Sequence, residues 1–123
     1  MAQIKSYTDI EQSKKLSEIL PLESADMEYL AIKENGKLVG SVSFVKDTSE
    51  VEDSVYSHIY ERIACWSLSA LLSVLPDYTL QTNADGTVFV VCDSKKPMIS
   101  DAYDNPVDAC YEMIIRLNEL KML

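Results

Sequence analysis

The chain has 123 residues, of which 47% are hydrophobic and 25% charged, the balance of one folded domain rather than of a disordered or fibrous chain. Three glycines and four prolines leave no low-complexity linker, so residues 1–123 read as a single domain. The net charge of −9 argues against direct binding to nucleic acid or to an anionic membrane surface.

The residues from Met1 carry no apolar leader, because Asp9, Glu11, Gln12, Lys14 and Lys15 arrive at once. The apolar-leaning stretch from Ile63 to Leu75 is broken by Ser67, Ser69 and Ser73 and falls short of the ~20 residues that cross a bilayer. Cys65, Cys92 and Cys110 are odd in number, far apart and set among apolar neighbours, which predicts reduced, buried thiols and a cytoplasmic location.

Thr8-Asp9-Ile10-Glu11 has the form of a capping box and predicts a helix from about Asp9 to Leu20, stopped by Pro21. Ile10, Leu16, Ile19 and Leu20 give it an apolar face, and Glu11 precedes Lys15 by one turn. Asn35-Gly36, between two strand-like runs, predicts a β-hairpin over Met27–Val45 with a two-residue turn. That turn pairs Glu34 with Lys37, Ile32 with Val39, Tyr29 with Val42 and Met27 with Phe44, placing Met27, Tyr29, Ala31, Leu38, Val42 and Phe44 on one apolar face. Leu30, Ile32 and Val39 fall on the other face, which needs a cover or a partner.

After the acidic stretch with Asp47, Glu50, Glu52 and Asp53, the steps Val51, Val55, Ile59, Ile63, Trp66 favour a helix, with a short strand as the alternative. Ser67 caps a third helix whose leucine stripe ends at Pro76. Tyr78–Thr82 and Thr87–Cys92 flank the turn-forming Asn83-Ala84-Asp85-Gly86 and predict a second hairpin, its apolar second strand central in a sheet. Asn105-Pro106-Val107-Asp108 opens a helix from about Pro106 to Lys121, packed through Val107, Cys110, Tyr111, Ile114, Leu117 and Leu120. The sum is α+β in the order α-β-β-α-α-β-β-α: an antiparallel sheet from two hairpins with helices on one face. The repeat of helix, Leu-Pro and hairpin in the two halves reads either as a duplicated half or, preferably, as the small set of residues that stop helices and turn chains.

Motifs for chemistry are sparse. His58 is the only histidine, so a thiol–imidazole pair would have to recruit Cys92 or Cys110 through the fold; Cys65, two helical turns away, is too far along one helix. The acids Asp47, Glu50, Glu52 and Asp53, and Asp93, Asp101, Asp104 and Asp108, lack metal-loop spacing and read as solvated faces, so no metal or other cofactor is expected. Gly36, Gly40 and Gly86 belong to hairpins and form no phosphate loop. Trp66, Tyr56, Tyr60, Tyr78 and Tyr103 are amphipathic aromatics suited to an interface or pocket, although Trp66 beside a leucine stripe suits a core anchor better.

The runs Gln12-Ser13-Lys14-Lys15-Leu16, Ala25-Asp26-Met27-Glu28-Tyr29, Trp66-Ser67-Leu68 with Leu71-Leu72 to Leu75-Pro76, and Asn105-Pro106-Val107-Asp108-Ala109 to Glu112-Met113-Ile114 span nearly the whole chain. On these runs the chain resembles a group of small, uncharacterised acidic proteins from prophages and other mobile elements of gut Bacteroidales. That group often has Pro where this chain has Ala64, which implies a break between Ala64 and Ser67. The resemblance implies a mobile-element setting and supplies no catalytic residue.

The expected function is therefore a non-catalytic interaction or self-association protein, with Leu30, Ile32, Val39, Tyr56, Tyr60 and Trp66 as candidate surface residues. A variant of this reading has the excess carboxylates imitate nucleic-acid phosphates toward a basic DNA-binding protein. The alternatives are a small enzyme built on a Cys/His or carboxylate pair, and a ligand-binding module with an aromatic pocket.

Overall fold

A computed structural model describes residues 5–35, 37–45, 60–92 and 97–123, with 33, 38, 39, 41–45 and 60 described by backbone alone. The class is α+β, with helices and antiparallel sheets in the expected order. The two hairpins do not share a sheet. Among the described residues each recruits one further strand, giving two three-stranded sheets, and the chain divides into two compact units, Asp9–Trp66 and Met1–Thr8 with Ser67–Leu123.

In the first unit α1 spans Ile10–Ile19, starting one residue later and ending one residue earlier than the sequence suggests. Both Thr8 and Asp9 are capping residue types, and Asp9 takes the role. Its carboxylate accepts from the Gln12 N–H at 2.8 Å, and the Gln12 side chain accepts from the Asp9 N–H at 3.1 Å. Thr8 is fully buried. A single 3-10 turn, Leu22–Ser24, leads to β1 (Met27–Glu34), which pairs with β2 (Lys37–Val45) and with β3 (Tyr60–Cys65) in the order β2-β1-β3.

Asn35 takes φ 52° at the hairpin turn, and Glu34 pairs with Lys37 as expected. Beyond that pair the expected register fails. The ladder runs Lys33 to Leu38 and then Ile32 to Gly40, so Val39 is an extra residue and the strand carries a bulge. Every later pair slips by one: Leu30 meets Val42, Tyr29 meets Ser43, Glu28 meets Phe44 and Met27 meets Val45. The predicted apolar face is thereby broken up.

The helix expected through Ile63 and Trp66 is corrected as well. Residues 60–65 form β3, with Ala31 opposite Glu61, Tyr29 opposite Ile63 and Met27 opposite Cys65; the earlier part of that stripe, at residues 51–59, lies outside the described residues. Pairing with β1 places Ile63 and Cys65 beside Tyr29 on one face, where all are buried, and α1 packs on β3 with Leu16 fully buried. The strand ends at Cys65 and the next helix starts at Leu68, with Ala64 inside the strand.

In the second unit α2 spans Leu68–Val74, capped by Ser67, whose hydroxyl accepts from the Ala70 N–H at 3.2 Å. β4 (Tyr78–Thr82), β5 (Val88–Cys92) and β6 (Met98–Ile99) follow, ordered β4-β5-β6, so β5 is central as expected. Gly86 supplies φ 89° in the hairpin loop, which is braced by Asp85 accepting from the Thr87 N–H at 3.0 Å and hydroxyl at 2.6 Å. These same bonds hold the Asp85 carboxyl below its ordinary pKa.

The unit closes with α3 (Pro106–Glu119), whose N-cap Asn105 accepts from the Asp108 N–H at 2.9 Å, with Pro106 in the first turn. Val107, Ala109, Cys110, Met113, Ile114 and Leu117 are its buried residues. Tyr111 is half-buried, while Leu120 lies beyond the helix, 58% exposed, and does not anchor the packing as the sequence suggests. Val88, Val90 and Cys92 form the buried side of β5, against which α3 packs.

Candidate functional site

The thiols expected to be buried are buried. Cys65, Cys92 and Cys110 have no exposed surface, and burial, with a smaller contribution from Cys92, pushes the Cys110 thiol from 9.0 up to about 12. At neutral pH Cys110 is therefore a protonated core side chain rather than a nucleophile. His58, the base any thiol chemistry would need, lies outside the described residues, as do Asp47, Glu50, Glu52, Asp53 and Asp93.

The remaining acids of the second cluster do not converge. Asp108 sits in the first turn of α3 and accepts from Lys5 Nζ at 2.8 Å and from Asn105 Nδ2 at 2.9 Å. Asp101 approaches Arg116 Nη2 at 3.3 Å. Arg116 also holds Glu112 at 2.7 Å, one turn before it, and donates to the Ile99 carbonyl at 3.0 Å, while Glu112 accepts from the Asp101 N–H at 3.2 Å. Tyr103 lies beside this group, and burial followed by its bond to Glu112 raises its phenol to about 12. These groups clamp the chain after β6 onto α3. Among the described residues no set of His, Cys, Asp and Glu is arranged to hold a metal ion.

The candidate surface residues fare unequally. Trp66 is fully buried, and its indole Nε1 donates to Ser24 Oγ at 2.9 Å, so it anchors the core of the first unit. Leu30 and Ile32 are half-buried on β1 and alternate with the buried Tyr29 and Ala31, on the opposite face of the sheet. Val39 is the bulged residue of β2, Tyr60 opens β3 and Tyr56 lies outside the described residues, so nothing is assigned to their side chains. A groove of about 590 Å³ runs along α1 and β3, but its cations Lys14 and Arg62 sit among Glu18, Glu28 and Glu61, with Arg62 Nε 3.9 Å from Glu28.

A further exposed feature is β4, of which the sequence singled out only Tyr78 as suited to an interface. Every residue of β4 is exposed, Tyr78 by 42% and Leu80 by 37%, whereas α3 packs chiefly on the neighbouring β5. The strand Tyr-Thr-Leu-Gln-Thr carries no charge, proline or bulge, the usual devices that blunt a sheet edge. Its backbone polarity can be read from the ladder. On β5, Val88 exchanges bonds with Tyr103 at 2.7 and 2.9 Å and the Val90 carbonyl accepts from Ser100 at 2.9 Å, so both face away from β4. At the hairpin end Asn83 N donates to Thr87 O at 2.7 Å, toward β5. Alternation then turns Thr79 and Gln81 toward β5, and turns the N–H and C=O of Tyr78, Leu80 and Thr82 outward. The sequence carried only a partial signal: an uncharged strand-like run, Tyr78 to Thr82, in a chain of net charge −9.

No helix among the described residues is long and apolar enough to cross a membrane. Comparison with known proteins returns no matching family model, no matching curated protein and no matching solved structure.

Proposed function

We propose that this chain is a non-catalytic protein-interaction module that takes an extended polypeptide segment onto the open edge of β4. The observation that carries this reading is the edge itself: five exposed, uncharged residues in strand geometry, with outward donors and acceptors at Tyr78, Leu80 and Thr82. A segment added there gains main-chain hydrogen bonds on a preformed template, so little ordering of this chain is required. The buried thiols and the mutual pairing of Asp101, Glu112 and Arg116 support a structural rather than catalytic use of the polar side chains. Action in the cytoplasm, in the setting of a mobile element, follows from the cysteine usage and the resemblance and is part of the same proposal.

The test is site-specific photocrosslinking in cells. A photoreactive residue at Gln81, whose backbone faces β5 and whose side chain is exposed, is compared with one at the exposed Glu11 on α1. A discrete protein adduct at Gln81 and none at Glu11 is expected. No adduct at Gln81, or the same adducts at both positions, overturns the reading.

A further inference from the structure

We infer that the segment docked on β4 is β4 of a second copy, so that two second-unit sheets join antiparallel about Leu80 into one continuous sheet. This rests on the reading of β4 as an interaction edge and names its occupant. With Leu80 opposite Leu80 of the other copy, the outward N–H and C=O of each Leu80 meet those of its counterpart, and those of Tyr78 meet Thr82 in both directions. No outward group between Tyr78 and Thr82 is left over.

Side chains agree with that register. Tyr78, Leu80 and Thr82 pair with Cys92, Val90 and Val88 and so share the α3-covered face of the sheet. There Tyr78 and Leu80 overhang the edge, and the twofold places the two Leu80 side chains side by side and each Tyr78 beside Thr82. On the opposite face Thr79 meets Gln81, both hydrogen-bonding side chains. Charge at the edge itself permits this partner. Two chains of net charge −9 repel, yet this edge is neutral, and the register sets Asp77 opposite Asn83 rather than opposite the other Asp77. A parallel arrangement would bring the two Asp77 carboxylates together.

A five-residue edge buries well under the ~1,200 Å² typical of stable complexes, so the association is a reversible one in roughly the micromolar-to-millimolar range. Sedimentation equilibrium of the purified chain across that range is expected to show the mass rising from 13.8 kDa toward twice that value. Over the same range, amide exchange at Tyr78, Leu80 and Thr82 is expected to slow, while Thr79 and Gln81, already bonded to β5, stay constant.

Leu80→Lys, which sets two ammonium groups face to face, and Leu80→Pro, which deletes an outward N–H without touching the β5 ladder, are each expected to weaken association by at least about tenfold. Leu120→Lys removes a more exposed leucine and is expected to leave it unchanged. Circular dichroism of each variant confirms folding, and the exchange pattern of the unmodified chain tests the register independently of any variant. A chain monomeric throughout, or a dimer whose Leu80 amide exchange does not change, overturns the second-copy proposal. If a foreign protein is nonetheless crosslinked at Gln81, the edge reading stands and only its occupant is wrong; with no adduct at Gln81, both fall.

Discussion

Trp66 and Ser24, 42 positions apart, are joined by a 2.9 Å hydrogen bond from indole Nε1 to Oγ, and the Ser24 hydroxyl in turn donates to the Pro21 carbonyl at 2.6 Å. The bond ties the end of β3 to the 3-10 turn that follows α1. Trp66→Phe removes the donor and part of the ring, so it loses both a hydrogen bond and packing, at a cost of about 2–3 kcal/mol. Ser24→Ala leaves the indole N–H without this acceptor and costs about 1–2 kcal/mol. Urea unfolding followed by circular dichroism measures both. In the unmodified protein the emission of this sole tryptophan should be blue-shifted and protected from acrylamide.

Lys5 and Asp108 meet at 2.8 Å across 103 positions, tying the chain before α1 to the first turn of α3. Both side chains are about three-quarters covered, and Asp108 also accepts from Asn105 while sitting at the positive end of the helix. Lys5→Met therefore loses one charge-assisted bond, about 0.5–1 kcal/mol, whereas Asp108→Ala loses that bond, the Asn105 contact and the helix-end charge, about 1–2 kcal/mol. Raising the salt concentration should narrow the difference between the Lys5→Met variant and the parent in the same unfolding measurement.

Burial raises Cys110 from 9.0 to about 12, and burial with the Glu112 bond raises Tyr103 from 10.0 to about 12. Both groups are neutral in the folded state and ionise more easily once unfolded. Their contribution to stability is therefore complete below about pH 9, starts to fall as Cys110 and then Tyr103 begin to ionise in the unfolded chain, and is lost as pH rises to about 12. Stability should decline across that window, and Cys110→Ala, which removes one titrating group, should flatten the decline while lowering stability at pH 7 through the lost sulfur. At neutral pH a thiol reagent should label none of Cys65, Cys92 and Cys110 faster than the chain opens.

Sequence pattern carried the parts of this fold that depend on local chemistry. Asn35-Gly36 marks its turn because few residues accept positive φ, and Asn105-Pro106 marks a helix start because it both caps and presets the backbone. The bulge at Val39 left no such mark; an inserted residue looks like any other valine, and only pairing with β1 reveals it. Residues 60–65 continued a helical stripe whose strand-like alternative was read at Val55-Ser57-Ile59, and the hydrogen bonds of β1 made 60–65 a strand. The site shows the same division. β4 was readable as a strand, but its exposure is a tertiary fact absent from Tyr78–Thr82 themselves. Trp66 carried an ambiguous signal, since an aromatic that suits an interface suits a core equally well.

Gly86 and Gly40 separate backbone need from side-chain space. A Cβ at Gly86 would meet nothing within 4 Å, yet its φ of 89° is one that L-residues rarely adopt; at Gly40 a Cβ would rest 4.0 Å from Ile32 Cδ1, ordinary contact, with no positive φ. Gly86→Ala should therefore cost about 1–2 kcal/mol despite the open space, because the strain lies in the chain and cannot be relieved by moving a neighbour. Gly40→Ala should be neutral or stabilising by up to about 0.5–1 kcal/mol, since it restricts the unfolded chain and adds a methyl in a strand beside Ile32. Thermal unfolding of the two variants side by side checks the sign of each effect. If the alanine at 86 were harmless and the one at 40 damaging, the Asn83–Thr87 loop conformation and the bulged register of β2 would both have to be redrawn.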